Sequence, residues 1–370
     1  MRIAFFHELP LGGARRSMQE YAKELKKSHQ IDLFLVDDRE ETLENKFYSN
    51  IFFYKFVPKD WQGKNWKTRL YKDTIELLRL YRLHRKIAQD IENKGYDFVL
   101  VSASKYIEAP FIMRFLKIPF LFFCHDPSYR IIYDPIFSIS KKLDLLRYNY
   151  EKLNRFTRKV IDRENLKKVN LCVLPSNYIA NIFTKIYKKK CAVVYYGVDV
   201  FTFKPLDIRK DIDIFYIGSY HPVDGYDLLK NALSLMKIKP KIRKVMIEDE
   251  WISDDRQLNK LYNRSKIVVC LAKKEGLGAI PLEAMASGAA VVAVDEAGYK
   301  ETIINGRTGY LISRDPGKLA EKLDWLLLHE EERLKLSKNA RENVIKNWQW
   351  KKRAKELEGV ILTCLNKTYA

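Results

Sequence analysis

The residues with the most chemistry to offer lie in one stretch, Glu275 to Gly288, EGLGAIPLEAMASG. Two carboxylates, Glu275 and Glu283, stand eight positions apart, with Gly276, Gly278 and Pro281 between them. A carboxylate only accepts hydrogen bonds, which suits the hydroxyls of a polyol. Glycines let backbone N–H groups approach a ligand closely, and the N-terminus of a helix favours phosphate. Together these groups can grip a ligand carrying both sugar and phosphate, with Glu283 on a ribose and Glu275 on a second sugar. On spacing alone an alternative stays open: Glu283 as a helix-end charge partner and Glu275 as a solvated loop residue.

Such a site needs a strand before it and a helix after it. Ile267 to Leu271 is apolar and β-branched, as a central strand requires. Lys273 to Ala279 reads as a polar, glycine-bearing loop. Pro281 suits the first turn of a helix over Leu282 to Ser287, Gly288 ends it, and Ala289 to Val294 is the next strand. The loop then leaves the carboxyl end of a parallel strand, the edge at which open α/β sheets bind ligands. The same alternation runs along the chain. Strand patterns at Arg2–His7, Ile31–Val36, Tyr96–Ser102 and Pro119–Cys124 are separated by helical patterns at Arg15–Lys27 and Lys67–Ile91. The helical pattern Leu143–Lys168 follows. The alternation restarts at Asp213–Ile217, and Glu330–Leu365 reads as one long helix.

The 370 residues exceed what one core usually fills, so two domains are expected. The five cysteines, Cys124, Cys172, Cys191, Cys270 and Cys364, form no CxxC pair and read as reduced core thiols rather than disulfides or metal ligands. The stretch MRIAFFHELPLGG lacks a charged n-region followed by an apolar run, and no apolar run is long enough to span a bilayer. A cytoplasmic location is therefore expected. The net charge of +20 is uneven: Lys64–Lys86 holds eight Lys/Arg against two acids, and Lys141–Lys168 ten against four. Such a surface favours nucleic acid, an anionic membrane or phosphorylated ligands, or is simply two solvated helix faces.

The run EGLGAIPLEAMASGAAVVAVDEAGYKETIINGRTGYLI resembles the E-x7-E signature region of the retaining glycosyltransferases of family 4. Gly12-Gly13-Ala14 is similar to that family's N-terminal glycine loop, and Cys124-His125-Asp126 to its histidine-bearing loop. LPSNYIANIF and YYGVDVFTFKP are similar to its interdomain segment. The resemblance covers most of the chain. It implies an α/β protein of the GT-B fold, two Rossmann-like domains facing each other across a cleft. Residues 1–205 would bind the acceptor and residues 206–345 the nucleotide-sugar. Residues 346–370 would form a C-terminal helix packing back on the N-terminal domain.

The resemblance also implies roles. Glu275 would contact the donor sugar and Glu283 the ribose. The amides of Gly276, Leu277, Gly278 and Ala279 would meet the diphosphate, joined by Gly12 and Gly13 and by Gly218 and Ser219. His125, with Glu275 the catalytic candidate, would hydrogen-bond the donor sugar or help hold the cleft closed, or else only cap backbone. Arg15, Arg16 and Asp126 are acceptor-side candidates, although an Asp before Pro127 most often starts a turn. The family retains anomeric configuration and needs no metal or other cofactor; a UDP- or GDP-sugar would be the substrate. Partners would be that donor, a hydroxyl acceptor (glycan or lipid-linked) and an anionic membrane surface, reached peripherally. Trp61, Trp66, Tyr71 and Tyr81 interleave with the basic residues as such a surface requires.

Two positions depart from the family. The Arg and Lys that usually bind the diphosphate fall on Ser219 and Asp224. Lys273 and Lys274, or Arg15 and Arg16, would supply the missing cations. Otherwise the donor sits differently, or the protein is a weak or non-catalytic nucleotide-sugar-binding relative. Two other classes find no motif. No RNP-like, zinc or helix-turn-helix signature supports a nucleic-acid partner. HELPLGGARRS is not the G-x-G-x-x-G of a nicotinamide-binding fold.

Overall fold

The computed structural model describes residues 1–37, 46–58, 66–107, 109–125, 133, 144–247, 252 and 254–369. The chain divides into two compact units: Met1–Leu174 with Ile179–Val194 and Ala354–Ala370, and Pro175–Tyr178 with Tyr195–Arg353.

In the first unit, apolar runs bury both faces of a parallel sheet, which is why they read as continuous rather than alternating. Its strands are β1 (Arg2–Glu8), β2 (Gln30–Asp37), β3 (Asn50–Lys55), β4 (Phe98–Ser104), β5 (Phe120–Phe123), β6 (Cys172–Leu174) and β7 (Cys191–Val193). They lie in the order β3-β2-β1-β4-β5-β6-β7, all parallel. The connecting helices are α1 (Gly13–Leu25), α2 (Trp66–Tyr71), α3 (Leu77–Asn93), α4 (Asp144–Leu166) and α5 (Asn177–Tyr187). α3 buries Leu80, His84, Ile87, Ala88 and Ile91, one stripe at helical spacing, and turns its basic residues outward. The expected helix over Lys67–Ile91 is interrupted by a π turn at Lys72–Glu76. β3 escaped the sequence reading.

The second unit is built on β8 (Ile212–Ile217), β9 (Ile242–Val245), β10 (Ser265–Cys270), β11 (Ala290–Val294) and β12 (Tyr310–Ile312), in the order β12-β11-β10-β8-β9 and again all parallel. Its helices are α6 (Tyr226–Leu235), α7 (Asp255–Arg264), α8 (Ala279–Ala286), α9 (Tyr299–Thr302), α10 (Pro316–Leu328) and α11 (Glu330–Asn347). The last helix, α12 (Trp350–Tyr369), runs from there into the residues grouped with the first unit. The single helix expected over Glu330–Leu365 is therefore two. Trp348 leaves helical geometry, is buried, and its carbonyl accepts from the Val198 N–H at 2.7 Å. Burial of the indole and that bond outweigh the continuous helical pattern. Asp315 caps α10 by accepting from the Lys318 N–H, with Pro316 at the first helical position.

Strand order reverses between β1 and β4 in the first sheet and between β8 and β10 in the second. Loops leaving the carboxyl ends at such a switch point splay apart and leave a crevice for a ligand. The loops after β1 and β4 carry Gly12–Gly13 and Lys105; those after β8 and β10 carry Gly218–Asp224 and Leu271–Gly278.

Candidate active site

The loop after β10 is held from several sides. The Glu275 carboxylate accepts the Gly278 N–H at 3.1 Å, and the Glu275 carbonyl accepts the Gly298 N–H at 2.9 Å. Ser176 donates to the Gly276 carbonyl at 2.6 Å. Below the loop, the Arg314 guanidinium donates to the carbonyls of Leu271 and Ala272 at 2.9 and 3.4 Å and grips Glu296. Leu277 and Gly278 are buried, Glu275 and Gly276 half-buried, and Ala279 exposed. Gly278 is the residue before the first turn of α8, and no side chain caps that end. At the far end of α8, Arg341 donates to the Ala286 carbonyl, where a cation complements the helix dipole.

Glu283 lies on α8 and is 7% exposed, with Oε2 accepting from Tyr262 Oη on α7 at 3.1 Å. A buried carboxylate given a hydroxyl partner keeps a fixed direction, whereas a solvated helix-end acid does not. Lys273 and Lys274 are exposed beside Glu275, and Lys274 adopts φ +56°.

The loop after β8 meets this one directly. Gly225 sits with φ +83°, and a Cβ there would fall 2.2 Å from the Leu271 carbonyl, so only glycine lets the two loops pack. Asp224 turns onto its own loop: its Oδ2 accepts from the Ser219 N–H at 2.8 Å and from Ser219 Oγ at 2.5 Å. Two donors thus partly satisfy its charge, and the Ser219 amide is occupied.

In the first unit, Gly12 and Gly13 are exposed at the start of α1. Arg15 turns inward and is 1% exposed; its guanidinium pairs with Asp37 at 2.9 Å, while Lys105 takes the other Asp37 oxygen at 2.7 Å. Arg16 stays half-buried on the same helix. His125 follows β5. Its Nε2 lies 2.7 Å from Ser102 Oγ at the end of β4, and its ring stacks on Phe123 at 4.8 Å. Burial lowers its pKa to about 3, so the ring is neutral near pH 7. His7 on β1 is fully buried as well, its pKa lowered to about 3 by burial, then by Arg15 and His125. Asp126 and Trp61 lie outside the described residues.

Each unit thus gathers its own share of the expected residues: Glu275–Ala279, Glu283, Gly218 and Ser219 in the second, Gly12, Gly13, Arg15, Arg16 and His125 in the first. Tyr262, Ser176, Gly298, Arg314, Ser102 and His7 were not singled out from sequence. Ser176 and Gly298 lie inside quoted motifs; Tyr262 and Arg314 carry no spacing signal, because only the fold brings them to the loop. Among the described residues, no three His, Cys, Asp or Glu side chains converge as a metal site would. No described helix is long and apolar enough to cross a membrane.

Two parallel sheets, each with a glycine loop at its switch point, define an α/β protein of the GT-B glycosyltransferase class. The sequence model described as Glycosyltransferase Family 4 matches residues 11–200, and that described as Glycosyl transferases group 1 matches residues 250–343. The chain belongs to glycosyltransferase family 4 and is an enzyme of the glycosyltransferase type. It is 23% identical to Spore coat protein SA of Bacillus subtilis (strain 168), over 72% of this chain and 84% of that protein. Among solved structures it resembles a sucrose-phosphate synthase from Thermosynechococcus elongatus, with TM-score 0.70, 15% identity and 99% of each chain covered. It also resembles Anabaena HepE in complex with UDP and glucose, with TM-score 0.70, 14% identity, and 98% of this chain and all of that one covered.

Proposed function

We propose that this glycosyltransferase is a retaining, metal-independent enzyme that moves a sugar from a nucleotide-sugar to a hydroxyl acceptor. The donor binds at the β8/β10 switch point. Glu283 accepts from ribose hydroxyls and Glu275 from the sugar. The amides of Gly276, Leu277 and Ala279, at the positive end of α8, receive the diphosphate, with Gly218 and Ser219 lining it and Lys273 and Lys274 beside it; the Gly278 and Ser219 amides stay on Glu275 and Asp224. The acceptor oxygen bonds to the anomeric carbon on the face the diphosphate leaves, and the acceptor proton passes to the departing diphosphate. Fixed N–H donors stabilise the charge that grows on the leaving group. The first unit offers neutral His125 and the exposed Gly12–Gly13 as its candidates for sugar and phosphate contacts, with Arg16 on the acceptor side. Arg15, committed to Asp37, acts through the fold instead.

The observation that carries this reading is the Glu275 carboxylate held on the Gly278 N–H, with Glu283 buried against Tyr262 on the helix that follows. That UDP and glucose are bound by HepE, which has the same fold, supports a UDP-sugar as the first donor to try. The test is a thermal-shift panel of sugar nucleotides and free nucleotides. Binding only the folded state raises the melting temperature. One base and one sugar should stand out, and Glu283→Gln should abolish the preference for nucleotide over free diphosphate. A flat panel would sink the proposal.

A second reading, a binding relative with little transfer activity, draws on the Asp224 carboxylate lodged on Ser219. It would be favoured if the donor binds but no sugar is released or transferred. An acceptor held at an anionic membrane is supported by α4. Leu146, Leu153, Phe156 and Val160 recur on one of its faces, all exposed, among Lys152, Arg155 and Lys159. Co-sedimentation with phosphatidylglycerol vesicles at low salt, lost with phosphatidylcholine, is the expected result.

A further inference from the structure

The second unit carries another concave site, at the opposite edge of its sheet. β8, β9 and β10 begin at Ile212, Ile242 and Ser265, and an open pocket of about 790 Å³ lies where those amino ends meet. β10 is six residues long, so this pocket is roughly 20 Å from the loop at its carboxyl end.

The lining is strongly cationic. Arg209, Lys210, Lys241, Lys260, Arg264 and Lys266 surround it against a single acid, Asp211. Arg264 donates to both Asp211 oxygens at 2.8 and 2.6 Å, and Lys241 lies 3.6 Å from the same carboxylate. Lys266 pairs with Asp213 at 2.7 Å. The Lys210 ammonium is fixed by three carbonyls, those of Asn263, Ser265 and Gly288, at 3.2, 2.9 and 3.2 Å. Arg209 and Lys260 are exposed, with no partner among the described residues. Leu206 and Ile208 add an apolar wall.

Six cations set against two acids, Asp211 and Asp213, leave a net positive charge and repel one another. Solvated lysines would spread apart, but here Lys210, Arg264 and Lys266 are anchored by backbone and carboxylate bonds. A bound anion relieves that repulsion, and a guanidinium beside ammonium groups matches the oxygens of a phosphate. Burial depresses Lys210 to about 8, so it still carries its charge near pH 7, and an anion in the pocket would raise it again.

We propose that this pocket binds a phosphate-bearing anion at a site separate from the donor edge. The ligand is either a free phosphate compound or the headgroup of an acidic lipid. The test is calorimetric titration with inorganic phosphate, alongside co-sedimentation with phosphatidylglycerol vesicles, the pocket variants distinguishing binding here from binding at the donor edge. The comparison is wild type against Arg209→Glu/Lys260→Glu and the milder Arg209→Gln/Lys260→Gln. Both pairs change exposed residues without partners, so folding, checked by the melting temperature, should survive. Saturable phosphate binding that weakens about tenfold or more in the reversed pair, and less in the neutral one, is expected. Binding of vesicles but not phosphate, lost in the same variants, would assign the lipid source. The proposal is overturned if neither probe binds, or if both variants bind as wild type does.

Discussion

Gly298 is the wall against which the Glu275 loop rests, and replacing it by alanine is the sharpest available perturbation. Its φ of −68° suits any residue, so alanine brings no backbone strain of its own. The difficulty is space. A Cβ there would lie 2.5 Å from the Gly276 carbonyl oxygen and 2.5 Å from the Leu277 Cα, both backbone atoms that cannot rotate aside. Ordinary contact begins near 3.4 Å, so the loop must retreat by about 0.9 Å. It is tied to the same residue through the 2.9 Å bond from the Gly298 N–H to the Glu275 carbonyl, and to Ser176 through Gly276. Retreat therefore stretches both bonds and shifts the Glu275 carboxylate with the amides beside it. Overpacking of this kind costs about 1–3 kcal/mol in stability. A displacement of about 1 Å in a reacting constellation costs about 100-fold in rate. Gly298→Ala should therefore remain folded at 25 °C, with kcat/KM for the donor identified by the nucleotide panel reduced about 100-fold. Thermal unfolding, together with transfer or donor-hydrolysis kinetics, separates the two effects. If the variant turns over donor at the wild-type rate, the position of the Glu275 loop does not matter to the chemistry, and the assignment of Glu275 to the donor sugar fails.

Tyr262→Phe removes the hydroxyl partner of buried Glu283, so unfolding should cost about 1 kcal/mol less and the donor KM should rise while kcat holds; an unchanged KM would detach Glu283 from the ribose. Asp224→Asn keeps the shape of the loop after β8 but removes one negative charge from the diphosphate region. UDP should bind about tenfold tighter by calorimetry, and equal affinity would mean that Ser219 and Asp224 do not face the phosphates. His7 and His125 are held near 3, below their ordinary 6.5, so the folded state binds fewer protons than the unfolded one. Their stabilisation is complete above about pH 6.5 and is lost as the pH falls toward 3, at about 1.4 kcal/mol per pH unit for each histidine. Denaturant titrations from pH 7 to 4 should show that slope, and His125→Gln should flatten it by about half.

Period and punctuation alone disclosed the alternating strands and helices, the loop and short helix at Glu275–Ser287, and the residue types a sugar-phosphate ligand needs. These are local properties: burial on both faces makes a parallel strand apolar throughout, and glycine and proline mark turns wherever they stand. Helical period alone ran through Trp348, where only the resemblance implied a separate helix over 346–370, and the strand at Asn50–Lys55 was illegible; each depends on a partner far away in sequence, Val198 for the first and β2 for the second. The same is true within the site. Sequence could nominate Arg15 as a cation for the acceptor side, but only the fold turns it onto Asp37. It could note a negative Asp224, but only the fold lodges that carboxylate on Ser219. Side-chain direction and long-range pairing follow from packing the whole chain at once, and so Tyr262 and Arg314 could be recognised only in the folded structure.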